Sequence, residues 1–459
     1  MDIFTNTFKI IAGQIELVMG IVVLIGLLIL RKKPDEIVKG VVRAVVGVLI
    51  LKAGSTLLQA AYTPIMNMIK TAFNITGIIT ENYTGMAAIN KALSPEILAI
   101  IPQVMVFGFL VNVLLAKFTS LKYVYLTAHT MLAFSTLTVW MMTWFFNADG
   151  IQLLIASSIV CGVYWTVMPA WVHRYSRPFA GDSFTLGHIS GFAAIISSKV
   201  GMLLGRYDKK NPKFFDEADE DESKFKGLSS LFNDSTVVTA LLMTIVLGGA
   251  SLLVPHELVV KAAGTMNPYV WMITLGASFT VGIVVLLTGV RMFIAELVPA
   301  FKGISDKLIP NAIPALDMPV FYPLAPFASI LGFIGAFIGE FIGFFVLLIS
   351  GYGVVMIPGI IATFFDGGIA GVFGYKYGGK KSAFISGLLV GIIQILGGVI
   401  FTQLAGLAKL GATYGNTDFG VIWPILAYIM SLLGNVWIFI ALVVILFIVA
   451  NRLLKPKAV

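Results

Sequence analysis

The chain has one cysteine, Cys161, in 459 residues. That rules out a disulfide framework, a thiolate metal cluster and a CxxC redox pair. Histidine is nearly as scarce. His129, His173, His188 and His256 stand too far apart for an HxxxH-type ligand motif, so neither the sequence spacing nor any cofactor signature predicts a bound metal or cofactor. No GxxxxGK[ST] loop occurs, which leaves ATP without its usual phosphate cradle and assigns any energy coupling to an ion gradient or a partner protein. Charge is also in short supply: 12% of residues are charged against 58% hydrophobic. With a mean hydropathy of +0.95, that balance excludes a water-soluble globule.

What is present is a succession of apolar runs, each long enough for a bilayer core that takes about 20 residues per helix. They lie at about 9–30, 38–62, 96–116, 124–146, 151–172, 235–255, 268–290, 324–350, 352–375, 383–409 and 420–450. The expected fold is therefore all-α and polytopic, with about eleven transmembrane helices. The first run is too long for a cleaved leader and is read as a retained span.

Basic clusters follow alternate runs: Arg31, Lys32 and Lys33; Lys117 and Lys122; Arg174 and Arg177; Arg291, Lys302 and Lys307; Lys376, Lys380 and Lys381. The positive-inside rule puts all of them in the cytoplasm, together with Arg452, Lys455 and Lys457, and the N-terminus outside. The formal charge of +8 thus belongs to membrane topology and predicts no nucleic-acid partner.

One plainly aqueous segment, RYDKKNPKFFDEADEDESKFK at 206–226, divides the chain nearly in half and reads as a linker or a docking loop for a soluble partner. Four shorter stretches, 71–92, 180–200, 308–323 and 358–371, mix Gly, Pro, Ser, Thr and Asn between the runs and read as re-entrant segments. Irregular backbone at membrane depth survives where it is buried in protein or lines a wet cavity, so these stretches mark the substrate path.

Shifting the sequence by 235 residues (282 minus 47) superposes Gly47 on Gly282, Gly54 on Gly289, Ala60 on Ala295, Pro64 on Pro299 and Ile69 on Ile304, and then Asn82 on Asp317. With five spans before the aqueous loop, the second copy starts from the opposite side of the membrane. The pattern predicts an inverted-topology repeat of five spans plus one extra C-terminal helix. The expected organisation is a single integral membrane permease domain: a first repeat at 1–204, a hydrophilic cytoplasmic loop at 205–228, a second repeat at 229–415, and a final helix with its tail at 416–459.

Polar groups at bilayer depth are costly and face the bundle interior. His129 in YLTAHTMLAFSTL, His188 in the Gly-flanked GDSFTLGHISGF and Asp317 in NAIPALDMPVFYP are the candidates for substrate contact. A carboxylate accepts hydroxyl hydrogen bonds from a sugar or polyol, and Tyr83 adds an apolar face and a phenol. Glu16 and Glu340 are further intramembrane acids, each expected to be paired within the bundle. Either Glu340 or Asp317 would serve the alternative of a proton-coupled transporter of a small polar solute. Arg291 and Glu296, five apart, do not share a helix face and are expected to bond elsewhere. No base and nucleophile stand in an arrangement that predicts an enzyme, so no catalytic residue is assigned.

The stretch GVRMFIAELVPAFKGISDKLIPNAIPALD resembles the ascorbate-specific permease subunit (IIC) of the bacterial phosphotransferase system. So do RKKPDEIVKG, the AGS at 53–55, ENYTGM, TAHTM, FTLGH and SLFNDSTVVTA, which carry the likeness along the whole chain. The resemblance implies a homodimeric, multi-pass inner-membrane permease that moves a core domain against a dimerising scaffold among membrane lipids. Its soluble partners would be IIA and IIB, with IIB phosphorylating the sugar, so the phosphoryl-transfer chemistry would lie outside this chain. The implied substrate contacts are Asn82, Tyr83, His129, His188 and Asp317. Ala133 and Ile189, expected to line the pocket, replace two glutamines of the ascorbate permeases. A related sugar, polyol or sugar acid therefore stands beside ascorbate as the expected substrate.

Overall fold

A computed structural model describes residues 14–72, 77–205, 214–217, 235–252 and 254–455. Most of the hydrophilic loop at 205–228 lies outside the described residues, as does Lys457. The elements run α1 (Ile15–Ile29), α2 (Pro34–Ala72), β1 (Ile78–Ile79), α3 (Asn82–Ala92), α4 (Pro95–Leu98), α5 (Ile101–Phe118), β2 (Tyr123–Tyr125), α6 (Ala128–Phe146), α7 (Gly150–Ala180), β3 (Thr185–Leu186) and α8 (Gly191–Leu204). Then follow α9 (Ser235–Leu252), α10 (His256–Ala263), α11 (Pro268–Leu308), β4 (Ile313–Leu316), a 3-10 helix (Met318–Leu324), α12 (Pro326–Ser350), β5 (Met356–Ile357), α13 (Ile360–Leu404), a 3-10 turn (Leu407–Leu410), α14 (Asp418–Leu432) and α15 (Val436–Leu453).

The fold is an all-α polytopic membrane protein. Among the described residues seven helices are long and apolar enough to cross a membrane, and α1, α8 and α14 contain shorter apolar helices. Helices α2 and α11 are each far longer than a bilayer core is thick. The 39 residues of α2 and the 41 of α11 extend about 58 and 62 Å at 1.5 Å per residue, against a hydrocarbon core of about 30 Å.

These two helices cross where both are small. A Cβ on Gly47 would sit 2.8 Å from the Phe293 amide nitrogen, and one on Gly289 would sit 2.5 Å from the Gly47 carbonyl oxygen. Without a hydrophobic drive between helices in lipid, such backbone contact supplies the dispersion energy that holds them together. Ion pairs fasten the same group of helices: Lys52 to Glu16 and Arg43 to Glu296, both at 3.4 Å. Glu16 is thus paired within the bundle, and Glu296 bonds away from its own helix.

The expected spans 352–375 and 383–409 are the two arms of one bent helix, α13, which turns at Gly379 (φ 76°). The expected final span at 420–450 is instead two helices, α14 and α15, separated at 433–435, where the Asn435 side chain accepts the Trp437 N–H at 2.8 Å. The re-entrant reading of 358–371 is also corrected. The irregular stretch lies at 351–359, with Gly351 and Gly353 at positive φ, and helix α13 begins at Ile360. The glycines that suggested a break serve close packing: a Cβ on Gly371 would meet the Ala328 carbonyl at 2.0 Å, and one on Gly367 the Phe333 backbone at 2.7 Å. Among the described residues, each of the other three stretches contains a short strand and the start of a helix.

Candidate functional site

The short strands explain how residues remote in sequence meet. β4 lies between β2 and β3 in a parallel three-stranded sheet, with Tyr125 and Thr185 both in register with Ala315. The ladder continues past the strand ends: the Leu126 N–H donates to Ala315 O at 2.9 Å and the Gly187 N–H to Leu316 O at 2.6 Å. Backbone that leaves helical form inside a membrane must find its partners in other chain segments, and these three strands satisfy one another. Parallel strands also run out in the same direction. The residues that follow them, His129 after β2, His188 after β3 and Asp317 after β4, therefore arrive at one place.

Glycine is required at one step of this convergence. A Cβ on Gly187 would lie 2.5 Å from Ala315 O, so a larger residue would push β3 off β4 and carry His188 with it. Asp317 is fixed from its other side as the N-cap of the 3-10 helix, its Oδ1 accepting the Met318 N–H at 2.7 Å.

The three side chains share a cavity of about 310 Å³. His129 Nε2 stands 3.7 Å from Asp317 Oδ2 and His188 Nε2 stands 3.9 Å from Asp317 Oδ1, with the imidazole centroids 5.9 Å apart. The wall also carries Asn82, Tyr83 and Ala133. Tyr83 keeps 53% of its surface exposed, so its ring and hydroxyl remain open to a ligand. The Asn82 side chain is engaged with the protein: its amide nitrogen donates to Asn416 Oδ1, and its oxygen accepts the Gly415 N–H at 3.1 Å. Ile189 is corrected as a lining residue. It is fully buried in the apolar cluster with Phe134 and Trp165, because the residue after His188 points away from the cavity.

The same three side chains also bear on metal chemistry. Sequence spacing offered no ligand set, yet the ligand atoms of His129, His188 and Asp317 all lie within 4.8 Å of one another, close enough to hold a cation. The strand ladder, and not a helical repeat, creates that proximity. The same donor set suits a hydroxylated ligand, since imidazole nitrogens and a carboxylate accept hydroxyl protons.

Three residues in contact with this site were not singled out by sequence reasoning: Ser190, Asp366 and Asn416. The available signal was Asp366 itself, an acid inside the apolar run TFFDGGIAG. It is completely buried. Glu340, by contrast, lies on α12, where its Oε2 accepts the Thr363 hydroxyl at 2.6 Å, and it is not among the residues lining the cavity.

The family model described as EIIC-GAT, PTS system sugar-specific permease component, matches residues 9–418. The chain belongs to this permease family. It is also similar to the ascorbate-specific PTS system EIIC component of Mycoplasma pneumoniae (strain ATCC 29342 / M129 / Subtype 1), at 26% identity over 429 residues. That match takes in 83% of this chain and 64% of the relative, so the chain spans somewhat under two thirds of the curated protein's length. Membership in the permease family agrees with the polytopic fold.

Proposed function

We propose that this chain is the IIC permease of a phosphotransferase system, carrying ascorbate or a related sugar, polyol or sugar acid across the inner membrane. Asp317, His129, His188 and Tyr83 contact the substrate, and Asn82 shapes the wall beside them. The observation that carries this reading is the delivery of two imidazoles and one carboxylate, by three parallel strands, into a single cavity of about 310 Å³. That volume suits a ligand of monosaccharide size rather than a polymer. A separate IIB subunit, charged through IIA, phosphorylates the sugar as it reaches the cytoplasm. Phosphorylation coupling is favoured over a proton route by the family match, and Glu340 is set apart from the cavity, held by Thr363.

Transport proceeds by alternating access, with a core moving against a scaffold in a homodimer built on an inverted repeat. Element order supports the repeat: α2 and α11 start at Pro34 and Pro268, and each is followed by a short strand and then a short helix, beginning at Asn82 in one half and at Met318 in the other. Asn82 and Asp317 hold the corresponding places at the cavity wall. Exposed apolar residues along α2, α11 and α15, such as Val42, Val281 and Ile445, suit lipid or a second copy. The topology has the N-terminus outside and the C-terminus in the cytoplasm.

The test is a binding and uptake pair. Purified protein is screened by thermal shift against ascorbate, pentoses, hexitols and sugar acids, since a ligand selective for the native state raises its melting temperature. Vesicles then report whether uptake of the hit requires phosphoenolpyruvate and IIB. A hit whose uptake proceeds without them and collapses with an uncoupler would refute phosphorylation coupling.

A further inference from the structure

Beneath the cavity floor, Asp366 of α13 forms the hub of a buried polar network. Its Oδ1 accepts the Ser190 hydroxyl at 2.6 Å and the Asn416 amide at 2.7 Å. Its Oδ2 accepts the Thr417 N–H at 2.6 Å, the Gln394 amide at 3.2 Å and the Thr417 hydroxyl. Two of these donors lead back to the cavity wall. Ser190 Oγ lies 3.0 Å from His188 Nδ1, and Asn416 Oδ1 receives the Asn82 amide.

With Asp366 ionised, as its five donor contacts favour, the directions of the bonds in the network follow. A backbone N–H and amide nitrogens can only donate, so the Asp366 carboxylate is the acceptor. The one proton of the Ser190 hydroxyl goes to Asp366, which leaves a lone pair on Ser190 Oγ facing His188 Nδ1. That nitrogen must carry the proton. In the neutral ring Nε2 is then bare, and Nε2 is the atom that faces Asp317 across the cavity at 3.9 Å. The Asn82 amide is oriented by the same logic, held between the Gly415 N–H at one end and, through Asn416, the carboxylate at the other. Among the described residues no hydrogen bond holds the His129 ring in the same way; its Nε2 stands 3.7 Å from Asp317 Oδ2.

We propose that Asp366 is a positioning residue for substrate recognition: through Ser190 it locks His188 in the tautomer that presents a bare Nε2 to the cavity, and through Asn416 it fixes Asn82. This rests on the permease reading above and narrows it. A bare Nε2 beside an Asp317 oxygen makes two acceptors in a row, which repel unless a ligand supplies two donors. Adjacent hydroxyls do so, one donating to His188 Nε2 and the next to Asp317 Oδ1. The site therefore selects ligands with neighbouring hydroxyl groups and rejects analogues in which one of the pair is removed, because a buried acceptor is then left unmatched.

The experiment uses full-length protein, labelled with 15N-histidine and reconstituted in lipid. Solid-state NMR reads which nitrogen of each ring is protonated, and the His188 signals are assigned by their loss in His188→Gln. The wild type should show His188 protonated at Nδ1 and bare at Nε2 without any ligand. Ser190→Ala should bring in the Nε2–H form and weaken binding of the best ligand from the ascorbate, pentose, hexitol and sugar-acid panel about tenfold, while a deoxy analogue of that ligand binds both proteins alike. Ser190→Thr, which restores the hydroxyl, should recover both properties. Ser190→Ala leaves the other donors to Asp366 in place and so spares the fold. An Nε2–H His188 in the wild type, or a Ser190→Ala protein with unchanged tautomer, overturns the proposal. Should the wild type bind nothing on the panel yet show a Ser190-dependent Nδ1–H tautomer, the tether stands and the proposed substrate class falls.

Discussion

Asp317 and His129 come from opposite halves of the chain and stand 3.7 Å apart, because the strand preceding each is paired with the other. The carboxylate is shared: its second oxygen faces His188 at 3.9 Å. One acid between two imidazoles makes the site sensitive to single substitutions.

Replacing Asp317 by Asn keeps the shape and removes the charge. A hydrogen bond to a charged group contributes about 1.5–3 kcal/mol, so affinity should fall roughly tenfold to a hundredfold, while the melting temperature of the unliganded protein changes little. His188→Ala should lose binding in the same way. Calorimetric titration of both variants decides, and wild-type affinity in both removes these residues from the binding site.

Cation and sugar compete for the same atoms in the proposed site. Ligand binding should be unchanged by a chelator, and excess Zn²⁺ should suppress it by occupying His129, His188 and Asp317. If the chelator abolishes binding and the metal restores it, the three residues hold a cation and the sugar contacts lie elsewhere.

Ala133 and Ile189 respond differently to the glutamines they replace. Ala133 lines the cavity, so Ala133→Gln supplies an amide to a hydroxylated ligand and should raise affinity for ascorbate. Ile189 sits in an apolar cluster, where Ile189→Gln buries an amide without partners at a cost of about 1–3 kcal/mol. Thermal melting with and without ascorbate separates the two effects.

The contact between α2 and α11 leaves no room for a side chain. Gly289→Val should destabilise the protein by about 1–3 kcal/mol through overpacking, because its Cβ would lie 2.4 Å from the Leu51 amide nitrogen. Gly249, with no atom within 4 Å of an added Cβ, is the control: Gly249→Ala should leave the melting temperature unchanged or slightly raised. Equal melting of the two variants would show that the crossing is not as close as the structure has it.

Composition alone decided the solvent, since a chain this apolar and this poor in charge can fold only in a bilayer, and period-free apolar runs of about 20 residues are helices there. The broken stretches around Asn82, His188 and Asp317 were legible for the same reason: Gly and Pro interrupt helices wherever they fall. Sequence cannot tell a helix-breaking glycine from a helix-packing one, which is why helix α13 occupies most of 358–371 and two helices stand where the final apolar run predicts one. The difference lies in what faces the missing Cβ, and that is a neighbour remote in the chain. The meeting of His129, His188 and Asp317, and the tether from Asp366 through Ser190, belong to tertiary structure alone. The first is set by the register of strands remote in the chain and the second by a side-chain hydrogen bond between residues 176 apart, and no local periodicity encodes contacts between segments that distant.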